Sequence, residues 1–325
     1  MEKIKKKLIL FMPSMEGGGV EKNLILISNF LKDYIKDIDL ITFDNKFKKQ
    51  FSKKINFICP TNRIGRTSKY KKYYYCLILL IKSILTNRNV LIFSFQANIY
   101  CIVVAKIFGK KIIVRSNSSP SGWSQNKFKK LIFKFFLKRS DLVIVNSRNF
   151  QNQINKVFKI KSICIFNPLN KKQIIKKSKT KVKDNFFDKK DLKIINVARF
   201  TDQKDHITLL RAFKLISNKI KSKLLIIGYG KNLKIMKNYI LKNNLKSKVK
   251  IKEYCSNPFP YIRKSDLFIL SSKFEGLPNV ILEAMTLKKF VISSNCPTGP
   301  SEILKNGKYG ILFEIGNYKD LAKKI

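Results

Sequence analysis

Short apolar runs alternate with amphipathic stretches along almost the whole chain. Runs rich in leucine, isoleucine, valine and phenylalanine, such as KLILFMPS at 7–14 and DLVIVNS at 141–147, are followed by turn residues and have the length of buried strands. Helical patterns lie between several of these runs. Strands that alternate with helices predict an α/β protein, with parallel sheets covered by helices on both faces.

A polar, lysine-rich stretch with weak periodicity interrupts this alternation, and we predict a linker over residues 171–190. The strands and helices resume with LKIINVARF at 192–200. The pattern therefore predicts two doubly wound Rossmann-like domains, 1–170 and 191–325, facing each other across a cleft. Ligands of such folds bind at the carboxyl ends of the strands, which puts the predicted site in the cleft.

Two acids flank the start of a predicted helix in SSKFEGLPNVILEAM, residues 271–285. Glu275 lies in a loop after a strand, and Glu283 lies inside the helix, for which Pro278 suits the first position. Gly276 lets the backbone approach a ligand, and the N–H groups of a first helical turn can bind phosphate. The pair therefore suits the hydroxyls of a nucleotide sugar. Two exposed acids on a surface helix are the alternative.

Two cations stand close together in VARFTDQKDH at 197–206. Arg199 follows a predicted strand, and Lys204 precedes a predicted helix. Positive charge near a helix N-terminus is unfavourable unless an anion is bound there. A diphosphate would fit between the two side chains, and a solvated basic loop is the alternative.

A triple glycine, in GGGVEKN at 17–23, directly follows the first predicted strand. Glycines at the start of a helix allow the backbone to approach a phosphate, so Gly18 and Gly19 are candidate phosphate-binding residues. The spacing is not G-x-G-x-x-G, and the chain contains no P-loop signature.

These motifs resemble those of the retaining glycosyltransferase family 4, whose members have the two-domain GT-B fold. EGLPNVILE at 275–283 fits the family hallmark of a Glu, seven residues and a Glu. NVARFTDQKDHITLLRAF resembles its Arg/Lys diphosphate segment, GGGVE its first glycine loop, and SSNCPTGPSEIL at 293–304 the donor-side loop of members that act on N-acetylhexosamine or related sugars. The resemblance spans nearly the whole chain.

The resemblance implies transfer of a sugar, with retention, from a nucleotide-sugar donor to a glycan or lipid-linked acceptor, without a metal or another cofactor. Arg199, Lys204 and Glu275 would be catalytic: the two cations would neutralise the donor diphosphate, and Glu275 would face the donor sugar. Glu283 would bind the ribose hydroxyls. The other donor-binding residues that the resemblance implies are Gly18, Gly19, Gly276, Leu277, Asn279 and Val280.

The chain departs from the family pattern in two places. Many members carry a histidine in the first domain near the reaction centre, whereas the equivalent stretch here, VRSNSSPSGW at 114–123, has none. Arg115 and Asn117 would take its place on the acceptor side. The chain also ends at NYKDLAKKI, and we expect that the C-terminal helix by which relatives cross back to the first domain is missing.

The composition argues against several kinds of functional site and against a membrane span. Six widely spaced cysteines without a C-x-x-C argue against a zinc site and a disulfide framework. The single histidine, His206, excludes a site built from several histidines, and its place at a helix start predicts a surface residue rather than a catalytic one. The apolar run near the N-terminus is too short for a signal peptide, and none is long enough to span a bilayer, so we expect a cytoplasmic protein.

The formal net charge of +48 would attract polyanions. A lysine-rich genome is the alternative explanation. A nucleic-acid-binding protein is the rival function, but no helix-turn-helix or aromatic-basic strand motif supports it, and we expect no nucleic-acid partner. Another nucleotide-sugar enzyme of the same architecture, such as an epimerase, is a second alternative.

Two basic amphipathic stretches, 69–85 and 126–140, suit a membrane interface. Each lysine near anionic lipid contributes about 1 kcal/mol of attraction. With a lipid-linked acceptor, this predicts a protein held peripherally on the inner face of the cell membrane; helices packed on the core are the alternative. The predicted stripe of the second stretch consists of Phe128, Leu131, Ile132, Phe135 and Phe136, widened by Phe133 and Leu137.

Overall fold

The structure is a computed structural model that describes residues 4–61, 67–117, 127–182, 186–187 and 191–325. The chain divides into two compact units, Met1–Pro168 and Leu169–Ile325. Two parts of the predicted functional stretches lie outside the described residues: 118–123 on the acceptor side, and residue 126 at the start of the amphipathic stretch 126–140.

The first unit is built on a seven-stranded parallel sheet with the order β3-β2-β1-β4-β5-β6-β7. Its strands are β1 Lys7–Phe11, β2 Ile38–Ile41, β3 Ile55–Ile58, β4 Val90–Ser94, β5 Lys111–Ser116, β6 Leu142–Val145 and β7 Ser162–Cys164. Its helices are α1 Gly19–Leu31, α2 Lys69–Thr86, α3 Asn98–Ile107, α4 Lys127–Leu137 and α5 Arg148–Phe158, and Lys48–Gln50 form a 3₁₀ turn.

The second unit repeats this architecture with six parallel strands in the order β10-β9-β8-β11-β12-β13. Its strands are β8 Leu192–Val197, β9 Ser222–Gly228, β10 Val249–Glu253, β11 Leu267–Leu270, β12 Phe290–Ser294 and β13 Ile311–Phe313. Its helices are α6 Lys171–Ser178, α7 His206–Ser217, α8 Leu233–Lys242, α9 Phe259–Lys264, α10 Asn279–Thr286, α11 Pro300–Ile303 and α12 Tyr318–Lys324, with 3₁₀ turns at Asp202–Lys204 and Lys305–Gly307.

The central strands are buried on both faces, which explains their continuous apolar sequence. In β1, Ile9 and Phe11 belong to one hydrophobic core, whereas Leu8 and Leu10 belong to the core on the opposite face of the sheet. This follows from the two-residue period of a strand. The strand order, in which the chain winds outwards from the middle in both directions, confirms the predicted pair of Rossmann-like folds.

The stretch predicted as a linker begins with a helix, α6, that packs on the second unit. The side chain of Asn170 accepts a hydrogen bond from the N–H of Gln173 at 2.9 Å and caps the helix. Ile174 is buried in a core shared with Tyr261 and Ile281. The cap and the packing of Ile174 therefore stabilise a helix that the lysine-rich sequence did not indicate.

The amphipathic helix α4 buries only part of its predicted stripe. Leu137 is 2% exposed, and Phe133 and Phe136 pack partly buried against the core of the first unit. The opposite side is open to solvent, because Phe128, Leu131 and Phe135 are 68%, 60% and 49% exposed. Across the described ranges, no helix combines the length and the apolar character needed to span a bilayer.

Candidate active site

The loop after β8 carries both predicted cations and is held by a helix cap. Arg199 follows the strand, a 3₁₀ turn forms at Asp202–Lys204, and α7 begins at His206. Asp205 adopts a left-handed backbone with φ of 44°, and its carboxylate accepts a hydrogen bond from the Thr208 hydroxyl at 2.8 Å. Aspartate is a favoured cap and tolerates this backbone region, so the local sequence fixes Lys204 directly before the helix.

Lys204 and Glu275, which the sequence places in separate motifs, are in direct contact. The Lys204 ammonium forms an ion pair with Oε1 of Glu275, and their side chains are 14% and 8% exposed. The same oxygen accepts a hydrogen bond from the Ser272 hydroxyl at 2.6 Å. Two donors, the Lys204 ammonium and the Ser272 hydroxyl, therefore satisfy this buried carboxylate oxygen.

Backbone and side-chain hydrogen bonds join the two loops that carry this pair. The Gln203 side-chain amide donates to the Phe274 carbonyl at 2.8 Å, and the Lys273 N–H donates to the Gln203 carbonyl at 2.8 Å. The Ser271 hydroxyl donates to the Lys204 carbonyl at 2.9 Å. The ion pair therefore lies between two loops with little freedom to move apart.

Both acids of the predicted motif are buried, which overturns the alternative of two exposed surface acids. Glu275 is 6% exposed and Glu283 is 4% exposed. Helix α10 begins at Asn279 with Pro278 as its N-cap, one residue later than predicted. Gly276 and Leu277 are buried in the connecting loop, whereas Asn279 and Val280 are partly exposed in the first helical turn.

The two predicted cations differ in their surroundings. Arg199 is exposed and has no ion-pair partner within the described part of the chain, whereas Lys204 is already paired with Glu275. The nearby Lys231 is also exposed, but its ammonium forms an ion pair with Asp202. The loop therefore offers one unneutralised guanidinium to an anion.

The glycine loop of the first unit contains a carboxylate that the sequence reading missed. Gly18 is the N-cap of α1 and Gly19 its first residue. Glu21 is buried, accepts a hydrogen bond from the Glu16 N–H at 3.1 Å, and lies so close that a Cβ on Gly18 would be 2.9 Å from its Oε2. The signal available in the sequence was an acid in the first turn of the helix that follows the glycines. The donor-binding role of the two glycines stays a prediction.

The predicted acceptor-side residues lie inside the first unit. Arg115 is 1% exposed and donates to the Ile165 carbonyl at 2.9 Å and to Oδ1 of Asn167 at 3.0 Å. Burial lowers the pKa of its guanidinium to about 10. Asn117 donates to the Phe95 carbonyl at 3.3 Å. These contacts connect β5 and the residue after it to the segments that follow β7 and β4. Direct contact with an acceptor stays a prediction.

His206 is a core residue, so the prediction of a surface histidine was wrong. It is 3% exposed and packs edge-on against Phe200, with 5.3 Å between ring centroids. Neither ring nitrogen has a hydrogen-bond partner. Burial, and then the charge of Lys204, lower the pKa of the imidazole to about 3. The ring is therefore neutral at physiological pH. It packs in the core beside Phe200 as an apolar side chain would.

In the ranges that the structure describes, no group of three or more His, Cys, Asp and Glu side chains is arranged to hold a metal ion. All six cysteines are free. Independence from metals stays a prediction.

Comparison with known proteins gives a consistent result. Residues 177–325 match the family Glycosyl transferases group 1. The chain is 26% identical over 329 residues to a Campylobacter jejuni enzyme, N-acetylgalactosamine-N,N'-diacetylbacillosaminyl-diphospho-undecaprenol 4-alpha-N-acetylgalactosaminyltransferase, covering 96% of this chain and 87% of the relative. It is 31% identical over 244 residues to an uncharacterized glycosyltransferase of Methanocaldococcus jannaschii, covering 65% of this chain and 59% of that relative.

The fold also matches solved structures over nearly its full length. The crystal structure of Anabaena Alr3699/HepE in complex with UDP and glucose superposes with a TM-score of 0.79, 18% identity, and coverage of 98% of this chain and 88% of that one. At this identity the likeness establishes the fold, which is the predicted GT-B pair of Rossmann-like domains.

Proposed function

We propose that this GT-B glycosyltransferase, whose residues 177–325 match Glycosyl transferases group 1, transfers a sugar with retention from a nucleotide-sugar donor to a glycan or lipid-linked acceptor. The buried ion pair between Lys204 and Glu275 is the observation that carries this proposal. It joins a cation suited to a diphosphate and a carboxylate suited to sugar hydroxyls at one edge of one sheet. The synthesis of surface polysaccharide or glycoconjugate is the proposed setting.

The roles of the donor-site residues follow from their chemistry. Arg199 and Lys204 neutralise the diphosphate, and their effect grows as negative charge builds up on the leaving group. Glu275 orients the donor sugar, and Glu283 accepts hydrogen bonds from the ribose hydroxyls. The first turn of α10, with the residues that lead into it, approaches the donor through its backbone. These further residues are Gly276, Leu277, Asn279 and Val280.

We also propose a metal-independent reaction, in which the Arg199 guanidinium and the Lys204 ammonium, which is paired with Glu275, donate hydrogen bonds to the leaving diphosphate. A nucleoside diphosphate carries its negative charge on the oxygens that the guanidinium and the ammonium can reach with their donors. Activity that persists in a metal chelator supports this part of the proposal, and activity lost in the chelator and restored by a divalent ion overturns it.

The proposed acceptor is a sugar carried by a lipid diphosphate, and the proposed location is the inner face of the cell membrane. The name of the Campylobacter jejuni relative specifies a diphospho-undecaprenol glycan as that enzyme's acceptor. In this chain, α4 exposes Phe128, Leu131 and Phe135 beside many lysines. An apolar face with basic flanks suits anionic lipid.

The test begins with a thermal-shift screen of nucleotide sugars. A donor at about 100 times its dissociation constant stabilises the folded protein by about 2.7 kcal/mol, which is readily measured. The stabilising donor is then incubated with lipid-linked glycans, and the anomeric configuration of the product is determined by NMR. We expect transfer with retention. Conversion of the donor to another nucleotide sugar without acceptor would indicate an epimerase, and an inverted product would contradict retention.

A further inference from the structure

The segment between β12 and α11 lies directly against the loop that carries Glu275. Thr298 is fully buried, and its hydroxyl donates a hydrogen bond to the backbone carbonyl of Glu275. Gly299 has φ of 89°, and a Cβ added there would lie 2.2 Å from the Gly276 carbonyl oxygen and 2.7 Å from Cδ of Pro278. Only glycine permits this backbone and this approach, so the two loops are locked together.

The hydroxyls of two serines also support the carboxylate of Glu275. The Ser294 hydroxyl, at the end of β12, donates to the Ser272 carbonyl at 2.5 Å, and the Ser272 hydroxyl donates to Oε1 of Glu275 at 2.6 Å. Both serines are fully buried. The carboxylate and the backbone carbonyl of one residue are thus each held by a buried hydroxyl from the carboxyl edge of the sheet.

We propose that Thr298 is a positioning residue for sugar transfer, because its hydroxyl fixes the peptide group between Glu275 and Gly276. That peptide group leads into the first turn of α10. Its rotation would move the Glu275 side chain away from Lys204 and would change the direction of the helix start. The inference rests on the proposed function, which gives Glu275 a role beside the donor sugar.

The hydroxyl group of Thr298, and not its methyl group, makes the hydrogen bond to the Glu275 carbonyl. A buried carbonyl that loses its donor must find another partner or shift, since leaving it unsatisfied is costly. Displacements of about 1 Å in a reacting group can lower a rate by about 10²-fold. Valine has nearly the shape of threonine without the hydroxyl, whereas serine retains the hydroxyl and loses only a methyl group.

The experiment compares Thr298→Val, Thr298→Ser and a matched control, Thr286→Val. Thr286 lies in α10, and its hydroxyl also donates to a backbone carbonyl, that of Leu282, at 2.8 Å. We expect Thr298→Val to lower kcat by about 10–100-fold with a much smaller change in the donor KM. Thr298→Ser should restore most of kcat, and Thr286→Val should leave it near the wild-type value.

Amide hydrogen exchange of residues 275–277, 279 and 280 gives a readout that needs no activity. We expect faster exchange there in Thr298→Val, and unchanged exchange in Thr298→Ser and Thr286→Val. Near-wild-type kcat and exchange in Thr298→Val would overturn the proposal. An equal loss in Thr298→Ser, or equal losses of kcat and Tm in the two valine variants, would also overturn it, because packing and not the hydroxyl would then be responsible. Wild-type protein that transfers no sugar would count against the proposed function alone, and the exchange data would still decide whether Thr298 orders this loop.

Discussion

Arg199 and Lys204 carry the same charge in different surroundings, and this separates their expected effects. Lys204 is largely buried and ion-paired with Glu275, whereas Arg199 is exposed. Removing one partner of a buried pair leaves the other charge without compensation. Removing an exposed cation changes stability little. The two residues therefore share a proposed role in catalysis and differ in their contribution to the fold.

We predict that Arg199→Ala and Lys204→Ala each lower turnover by about 10²–10³-fold, because charge on the leaving diphosphate grows in the transition state. Only Lys204→Ala should also lower the free energy of unfolding, by about 1–3 kcal/mol, because it leaves a buried carboxylate short of a donor. Steady-state kinetics and urea unfolding measure the two effects. Lys231→Ala, which breaks an exposed ion pair with Asp202, is the control. Unchanged turnover in both variants would remove these cations from the mechanism.

His206 supplies a prediction about pH. Its pKa is about 3 in the folded protein against 6.5 as an ordinary value, because burial disfavours the charged ring. Between these values the unfolded chain binds a proton that the folded chain does not, so the free energy of unfolding falls as pH is lowered through this window. The stability that the protein loses at low pH through His206 is fully present above pH 6.5.

We expect His206→Leu to flatten this part of the stability profile, since neither ring nitrogen has a partner to lose. Urea unfolding of both proteins between pH 7 and pH 4 is the measurement, with Lys214→Ala on the same helix as a control. The same slope in wild type and His206→Leu would mean that another group titrates.

At the scale of elements, apolar periodicity predicted the central strands well and the short helices poorly. Buried parallel strands such as β1 and β11 are continuous apolar runs that are too short for a typical helix. Helix α6 was predicted as a linker because only one of its two buried residues, Ile174, is apolar. In α4, apolar residues occupy both sides, so its sequence could not show that Leu137 faces inwards and Leu131 outwards.

The exposed face of α4 is the element that tests membrane binding. We predict that the double variant Leu131→Ser, Phe135→Ser loses at least about tenfold in affinity for vesicles of phosphatidylglycerol, since burying one large apolar side chain contributes about 1.5–3 kcal/mol. Vesicle co-sedimentation measures this, with Ile235→Ser in the second unit as a control, because Ile235 is 56% exposed on α8. Equal binding of the double variant and wild type would assign the exposed stripe to another role. Release of wild type by salt is expected, because the attraction of exposed charges is screened over about 10 Å at 0.1 M.

At the scale of the whole molecule, the GT-B fold and the proximity of three motifs could be predicted from the sequence, because each of these three motifs follows a strand of the second sheet. The carboxyl ends of parallel strands share one edge, so the segments after β8, β11 and β12 had to meet. The contacts that hold them together could not be predicted. Serine and threonine hydroxyls such as those of Ser272 and Thr298 carry no periodic signal, and their partners are distant in the sequence.

The net charge of +48 is also a property of the whole molecule, and it favours every polyanion alike. It therefore cannot distinguish a nucleotide sugar from a membrane or a nucleic acid. Selectivity has to come from buried groups with fixed partners. We propose that the two buried acids, Glu275 and Glu283, are such groups, because carboxylates repel phosphate and accept hydrogen bonds from sugar hydroxyls.

Calorimetric titration of the donor that the screen identifies into wild type, Glu283→Ala and the exposed control Glu253→Ala tests the central claim most directly. Loss of a charged acceptor for the ribose hydroxyls should cost about 1.5–3 kcal/mol, which raises the donor Kd by about 10–150-fold. We predict this rise in Glu283→Ala and wild-type affinity in Glu253→Ala, with all three proteins folded by circular dichroism. A donor Kd in Glu283→Ala equal to that of wild type would contradict the assignment of a nucleotide-sugar site to this edge of the second sheet.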